Sequence, residues 1–309
     1  MKNLSIHIVF LGTGAAVPTP KRSLPAVIMQ RGNEQILFDC GEGVQRQMII
    51  GKVGLHKELK ILITHMHGDH VLGLPGLLQT MALMNRQKPV VVYGPVGLAH
   101  FLDCLRETLQ FALTFQVDVH ELTDPILVCD EEDYIIEAVK SNHAITSFSY
   151  AFVEKPRPGK FHPEKAMALG IPQGDAWSRL QHGVAFKLPN GHVVKPEDVA
   201  GSPRKGRKIV YTGDTKPFEA FAHFAANADL VVHEATFDDS LAEKAEVDGH
   251  STPSQAAEEA TSAKAKRLVL THISARYSDT SLLLEQAKKV FANTLVAEDF
   301  LEIELPLGE

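Results

Sequence analysis

Cysteine is scarce: Cys40, Cys104 and Cys129 are the only three, scattered over 309 positions. That excludes a disulfide framework and a thiolate metal site, and it fits a reducing cytosol. Long apolar runs are missing too. The start, Met1-Lys2-Asn3, leads into only six mostly apolar residues, Ile6 to Leu11, too short for the core of a secretory signal. No stretch is long enough to span a bilayer, so the expectation is a cytoplasmic protein with no membrane partner. Basic charge is in deficit as well, 31 Lys and Arg against 38 Asp and Glu, a formal net charge of −7. The chain has no overall basic shell for nucleic acid, and any phosphate-binding surface must be local.

What is present is ample apolar material, 44% of residues, arranged in short β-branched runs that end in polar or glycine-rich tips. Ile6–Phe10 precedes Gly12-Thr13-Gly14, Ile36–Phe38 precedes Asp39, and Lys60–Ile63 precedes His65. Later, Lys208–Tyr211 precedes Asp214, Leu230–Val232 precedes His233, and Arg267–Leu270 precedes His272. Such runs read as buried strands whose ends feed loops, delivering metal-type residues to one edge. Helical patterns lie between them, at Leu98–Gln110 and Ser281–Phe291. A further helix begins at Thr252-Pro253-Ser254-Gln255, where Thr252 caps, Pro253 fits the first turn and Gln255 completes a capping box, with His250 just ahead. The alternation predicts an α/β class and one domain over 1–309, with no repeat period.

Residues 151–208 differ from the rest. They hold seven of the 17 prolines and seven of the 22 glycines, with eleven Lys/Arg against five Asp/Glu, a local charge of +6 that leaves about −13 elsewhere. The segment reads as an inserted, protruding and partly flexible arm, the plain alternative being a long surface loop.

The densest chemistry is Thr64-His65-Met66-His67-Gly68-Asp69-His70. In an extended segment residues two apart point the same way, so His65 and His67 can share one cation. Gly68 permits a tight turn that brings Asp69 and His70 toward a second. Two cations need more donors, and His143, Asp214 and His272 each stand at the end of an apolar run. Nitrogen and carboxylate donors without cysteine suit Zn²⁺, with Mn²⁺ and Fe²⁺ as further ions such a set accepts. Asp214, a carboxylate, is the natural bridge.

The string, the three later residues and their order resemble the metallo-β-lactamase superfamily. The resemblance implies an αββα sandwich in which His65, His67 and His143 hold one metal, Asp69, His70 and His272 the other, with Asp214 between. One branch of that superfamily carries a redox di-iron pair and a glutamate at the second ligand position; His67 here favours hydrolysis. A finer resemblance, along essentially the whole chain, is to the ribonuclease Z family, which trims the 3′ end of precursor tRNA. It rests on Gly12-Thr13-Gly14, Phe38-Asp39-Cys40-Gly41-Glu42-Gly43, Gly73-Leu74-Pro75-Gly76-Leu77, His233-Glu234-Ala235-Thr236 and His250-Ser251-Thr252. In cleaving a phosphodiester, two cations lower the pKa of bound water toward 7 and neutralise phosphoryl charge. His250 is suited to protonate the leaving ribose oxygen, Glu234 to orient that imidazole and raise its pKa, and Asp69 to ligate and to orient the nucleophile.

The insertion lies where the family carries its arm for the tRNA elbow, which reaches the tRNA on the other subunit and so implies a homodimer. Its positive balance offers a patch for phosphates, and Lys155, Arg157 and Lys160 are the expected contacts. The arm's glycine-proline element is altered, Pro172-Gln173-Gly174-Asp175 standing in its place. Many bacterial members have a P-x-K-x-R-N loop that discriminates against mature CCA ends; here Pro18-Thr19-Pro20-Lys21-Arg22-Ser23 keeps the arginine, displaces the lysine by one and replaces the asparagine. Lys21 and Arg22 are expected to contact phosphate or base, without the discrimination. Two other readings stand beside this one: a lactamase-fold hydrolase of small esters or phosphodiesters, which would not need the arm, and a non-catalytic RNA-binding relative, which would not need the donor set.

Overall fold

The computed structural model describes residues 5–124 and 126–307. Two seven-stranded sheets form its centre. The first runs in the order Glu302–Leu305, Ile6–Gly12, Ala26–Arg31, Glu34–Phe38, Glu58–Leu62, Val90–Pro95, Val117–Leu122. The second runs Thr294–Val296, Leu268–Thr271, Leu230–Glu234, Lys208–Tyr211, Phe148–Glu154, Tyr134–Lys140, Ile126–Asp130. The sheets meet face to face: the rings of Phe38 and Tyr211 lie 5.3 Å apart, and Tyr150 Oη donates to the Ile63 carbonyl at 2.8 Å. Helices Val44–Ile50, Gly73–Leu83 and Leu98–Leu109 cover the first sheet, burying Val44, Met48, Leu74, Leu77, Met81 and Leu98 in one core. Pro253–Ser262 and Ser281–Val290 pack against the second. This is the αββα sandwich the resemblance implies.

Ile6–Gly12 lies antiparallel to both its neighbours, whereas Leu230–Glu234, Leu268–Thr271 and the end of Glu58–Leu62 read as apolar runs because parallel strands covered on both faces must be apolar throughout. Leu230–Glu234 and Leu268–Thr271 are buried at every position, and both lie in the parallel part of their sheet. In parallel strands the carboxyl ends gather at one edge, where open α/β sheets bind ligands. Asp39 follows Glu34–Phe38, His65 follows Glu58–Leu62, Asp214 follows Lys208–Tyr211 and His272 follows Leu268–Thr271. The predicted capping box is present: Thr252 N donates to Gln255 Oε1 at 2.9 Å and Gln255 N to Thr252 Oγ1 at 3.5 Å. Among the described residues no helix is long and apolar enough to cross a membrane, and all three cysteines are free thiols.

The chain divides into two compact units. The sandwich is one. The other comprises 153–207 with 131–134, so Ala151, Phe152 and Lys208 belong to the sandwich instead of the insertion. The segment expected as a protruding, partly flexible insertion carries, within 153–207, helices Pro163–Ala168, Asp175–Gln181 and Pro196–Val199 and a short hairpin of Phe186–Lys187 with Val193–Val194. Its apolar residues are few but converge: Ala166, Ile171, Ala176, Leu180, Leu188, Val194 and Val199 bury one another, with Phe161 and Trp177 packed against them. Arg207 closes its base on Glu154 through Nη2–Oε1 at 2.6 Å and Nε–Oε2 at 2.8 Å, both side chains buried.

Candidate metal centre

The chain enters the centre from strand Glu58–Leu62. The extended run beyond it sets the rings of His65 and His67 4.7 Å apart, with His65 Nε2 3.1 Å from His67 Nδ1. The tight turn expected at Gly68 is present and takes the form of a helical turn. His67 takes an extended conformation and caps a short helix, Gly68–Val71, whose geometry carries Asp69 and His70 inward without a positive φ at Gly68. His143 Nε2 arrives 3.3 Å from His67 Nδ1, and His70 Nε2 lies 3.3 Å from His272 Nε2. Asp214 sits between the groups, Oδ2 at 3.7 Å from His65 Nε2 and 3.3 Å from His70 Nε2, Oδ1 at 3.3 Å from His272 Nε2. Asp69 Oδ2 stands 3.6 Å from His70 Nε2 and 3.5 Å from His272 Nε2. The donor atoms of His65, His67, His143 and Asp214 thus form one set within 4.8 Å, and those of Asp69, His70 and His272 a second.

This donor set fits a pair of cations. With both Nδ1 atoms committed outward, the neutral rings of His70 and His272 present Nε2 lone pairs to each other at 3.3 Å, a repulsive contact that a cation between them relieves. Asp214 Oδ1 is buried and accepts no hydrogen bond, an orphan of the kind that a metal satisfies. The outward nitrogens are pinned, which fixes the tautomer that aims the other nitrogen inward. His70 Nδ1 is 2.7 Å from Asp39 Oδ2, His143 Nδ1 2.8 Å from the Gly249 carbonyl, His65 Nδ1 2.9 Å from Thr64 Oγ1, and His272 Nδ1 2.8 Å from Thr236 Oγ1. At Gly249, where φ is +83°, a Cβ would stand 2.9 Å from His143 Nδ1, so glycine serves both the turn and the approach.

The electrostatics carry the same demand for positive charge. Burial alone would lower the pKa of His70, but Asp214 and Asp39 outweigh it and hold the ring well above the ordinary histidine range. Asp214 and Asp69 are opposed by their burial and still driven below the carboxylate range, Asp214 by His272 and His70, Asp69 by its bond with His272 and by His70. His65 is pushed down by burial and by its neighbour His70.

Asp39 is the residue on which this centre is hung, and the sequence reading gave it no role. Fully buried, it accepts from Thr64 N at 2.8 Å, Thr64 Oγ1 at 2.9 Å, His70 Nδ1 at 2.7 Å and Tyr211 Oη at 2.9 Å. Asp39 and His272 are both non-glycine residues with positive φ, +56° and +55°, a strained conformation that concentrates at functional sites.

Beside the donors stands an acid–base pair. His250 Nδ1 is 2.8 Å from Glu234 Oε1. Glu234 is buried and also accepts from Thr215 N at 2.9 Å and Thr236 Oγ1 at 2.7 Å. Because Thr236 Oγ1 also meets His272 Nδ1, one hydroxyl ties the pair to a metal-facing ring. Burial would depress His250, but the carboxylates of Glu234 and Asp214 raise it to about 9. The preceding His233 points away from the centre, its Nε2 2.8 Å from Glu259 Oε2.

The expected RNA contacts fare differently. Lys21 is exposed on the wall of a cavity of about 800 Å³ that also takes in Thr19, Tyr277, Ser278 and Thr280 and holds none of the donors. Arg22 lines the same cavity but is largely buried, its Nη1 donating to Thr13 Oγ1 at 2.7 Å and to the Ala297 carbonyl at 2.6 Å as an internal clamp. Lys160 is exposed, while Lys155 and Arg157 are half-buried and Lys155 Nζ donates to the Glu131 carbonyl.

Similarity to known proteins extends along nearly the whole chain. A family profile described as a beta-lactamase superfamily domain matches 177–273, and one described as the anti-Pycsar protein Apyc1 matches 6–157. A ribonuclease Z of Methanosarcina acetivorans is 45% identical over 97% of this chain and 98% of its own, and one of Haloferax volcanii is 44% identical over 99% and 97%. The chain belongs to the ribonuclease Z family. The human tRNase Z, short form, a crystal structure, superposes with a TM-score of 0.73 at 33% identity, covering 97% of this chain and 99% of that one. This is accordingly a ribonuclease Z-type hydrolase of the metallo-β-lactamase fold.

Proposed function

We propose that the protein is a zinc-dependent endoribonuclease that removes the 3′ trailer from precursor tRNA and leaves a 3′-hydroxyl on the tRNA body. What carries the reading is one arrangement, a two-cation donor set with the Glu234–His250 pair at its rim, in a chain of the ribonuclease Z family. His65, His67, His143 and Asp214 would hold one Zn²⁺, and Asp69, His70, His272 and Asp214 the other. When bound, the ions lower the pKa of water toward 7 and offset phosphoryl charge. Asp69 orients the attacking water. His250, its Nδ1 on Glu234, offers Nε2 as the proton donor to the departing ribose oxygen, and the Glu234 carboxylate favours the protonated ring. Lys21 and the basic unit 153–207, with Lys160 on its surface, supply phosphate contacts. The enzyme acts in the cytoplasm as a homodimer whose arm serves the tRNA of the partner.

The test is incubation of the zinc-loaded protein with end-labelled precursor tRNA, mapping the cut and its end groups. Cleavage at the base of the trailer with a 3′-hydroxyl is expected, together with a loss of more than about 100-fold in Asp69→Ala. A cyclic phosphate on the tRNA body, or undiminished cutting by zinc-loaded Asp69→Ala, refutes the reading.

A further inference from the structure

Phe237 follows the threonine that ties the acid–base pair to His272, and its ring stands 6.0 Å from that of His250. Two cations lie over it, Lys244 Nζ at 5.2 Å and Arg276 Cζ at 5.9 Å from the centroid. They are not equivalent. Lys244 is held by Asp248 at 2.6 Å, whereas Arg276 is exposed and has no carboxylate partner among the described residues.

The backbone around Arg276 is fixed on both sides. Ile273–Ser274 pairs with Gly14–Ala15, and Tyr277 Oη donates to Asp238 Oδ2 at 2.7 Å while accepting from Asp238 N at 2.8 Å. The nearby carboxylates are engaged by other groups: Asp238 by Tyr277 and by Ser240 N, Asp279 by Ser281. An arginine on an anchored backbone, its guanidinium carbon 5.9 Å from the centre of a buried aromatic ring, is biased toward that ring by cation–π attraction, and its N–H edge matches phosphate in a bidentate way that lysine cannot reproduce.

Resting on the function proposed above, we infer that Arg276, shelved on Phe237, binds a backbone phosphate next to the cut, on the side of the ribose that His250 protonates. The site takes a phosphodiester of the RNA strand, and Phe237 is its positioning residue.

The experiment compares zinc-loaded wild type with Arg276→Ala, Arg276→Lys and Phe237→Leu. On precursor tRNA, Arg276→Ala is expected to lower kcat/KM about 30-fold, or about 2 kcal/mol at 1.36 kcal/mol per decade, chiefly through KM. The slope of log kcat/KM against log salt should flatten by about 0.7, the share of one phosphate on a single strand. Arg276→Lys should keep the wild-type slope with a loss of only about threefold, and Phe237→Leu should fall between the two. Binding of fluorescein-labelled mature tRNA, read by anisotropy, should weaken in the same order. An unchanged salt slope and unchanged tRNA binding in Arg276→Ala overturn the assignment, as does a loss confined to kcat. If wild type itself leaves precursor tRNA uncut, the proposed function falls, and the anisotropy series still decides whether Arg276 contacts an RNA phosphate.

Discussion

Asp39→Asn is a one-atom change with a large expected effect. Asp39 Oδ1 receives Thr64 N and Oγ1, and Oδ2 receives His70 Nδ1 and Tyr211 Oη. An amide has a single acceptor oxygen, so either orientation turns an NH₂ toward two donors. Facing Thr64, it leaves the backbone N–H without an acceptor. Facing His70, it drives the ring to the other tautomer, placing the proton on Nε2, the nitrogen that must face a metal. Each buried donor left unpaired costs about 1–3 kcal/mol, so two come to roughly 2–6 kcal/mol in the metal-free protein. Loss of an outer-shell carboxylate lowers metal affinity by about 10–100-fold. Urea unfolding of the metal-free variant measures the first, and zinc competition against a chromogenic chelator the second. The affinity loss should fall on one of the two ions, the one on the His70 side. Wild-type stability together with two wild-type zinc affinities would refute the account of Asp39 as the common acceptor.

Two further outcomes are expected. Since Glu234 raises the pKa of His250 and the protonated ring is the proposed donor, activity should decline as pH rises through about 9; Glu234→Gln should move that limb about 1–3 pH units toward acid, and an unmoved limb in a pH–rate profile sinks the pairing. The ion pair's contribution to folding has the same sign, present below the ordinary histidine value of about 6.5 and lost through about 9. Replacing 155–206 with a short glycine linker is feasible because Glu154 N donates to the Arg207 carbonyl at 2.9 Å, so the ends already adjoin. The excised protein should still hydrolyse bis(p-nitrophenyl) phosphate while losing tRNA processing; equal loss of both would undermine the arm as an RNA contact.

The donors were legible in the sequence because their positions obey simple rules. Parallel strands buried on both faces must be written as apolar runs, so the ends at His65, Asp214 and His272 show in the text of the chain. Paired histidines two apart after such a run have little other use. Thr252 and Gln255 announced their helix for an equally local reason, since the capping box is made within four residues.

The support of those donors was not legible, because it is assembled across the fold. Asp39 reaches Tyr211 over 172 positions and Gly249 holds His143 over 106, and neither pairing leaves a local trace. The positive φ of Asp39 and of His272 is likewise imposed by tertiary structure, since nothing in their residue type demands it. The same reasoning separates Lys21 from Arg22. Adjacent basic residues read alike and both line one cavity, yet Lys21 is exposed while the Arg22 head is tied to the Ala297 carbonyl 275 positions away. Arg276 completes the contrast: a lone arginine in a polar loop carries no motif, and only the fold shows that it lies over Phe237, one ring away from His250. Under the proposed function, phosphate contacts in this acidic chain are therefore to be sought also among cations that the fold anchors and leaves without a carboxylate, beside the clusters of Lys and Arg that the sequence shows.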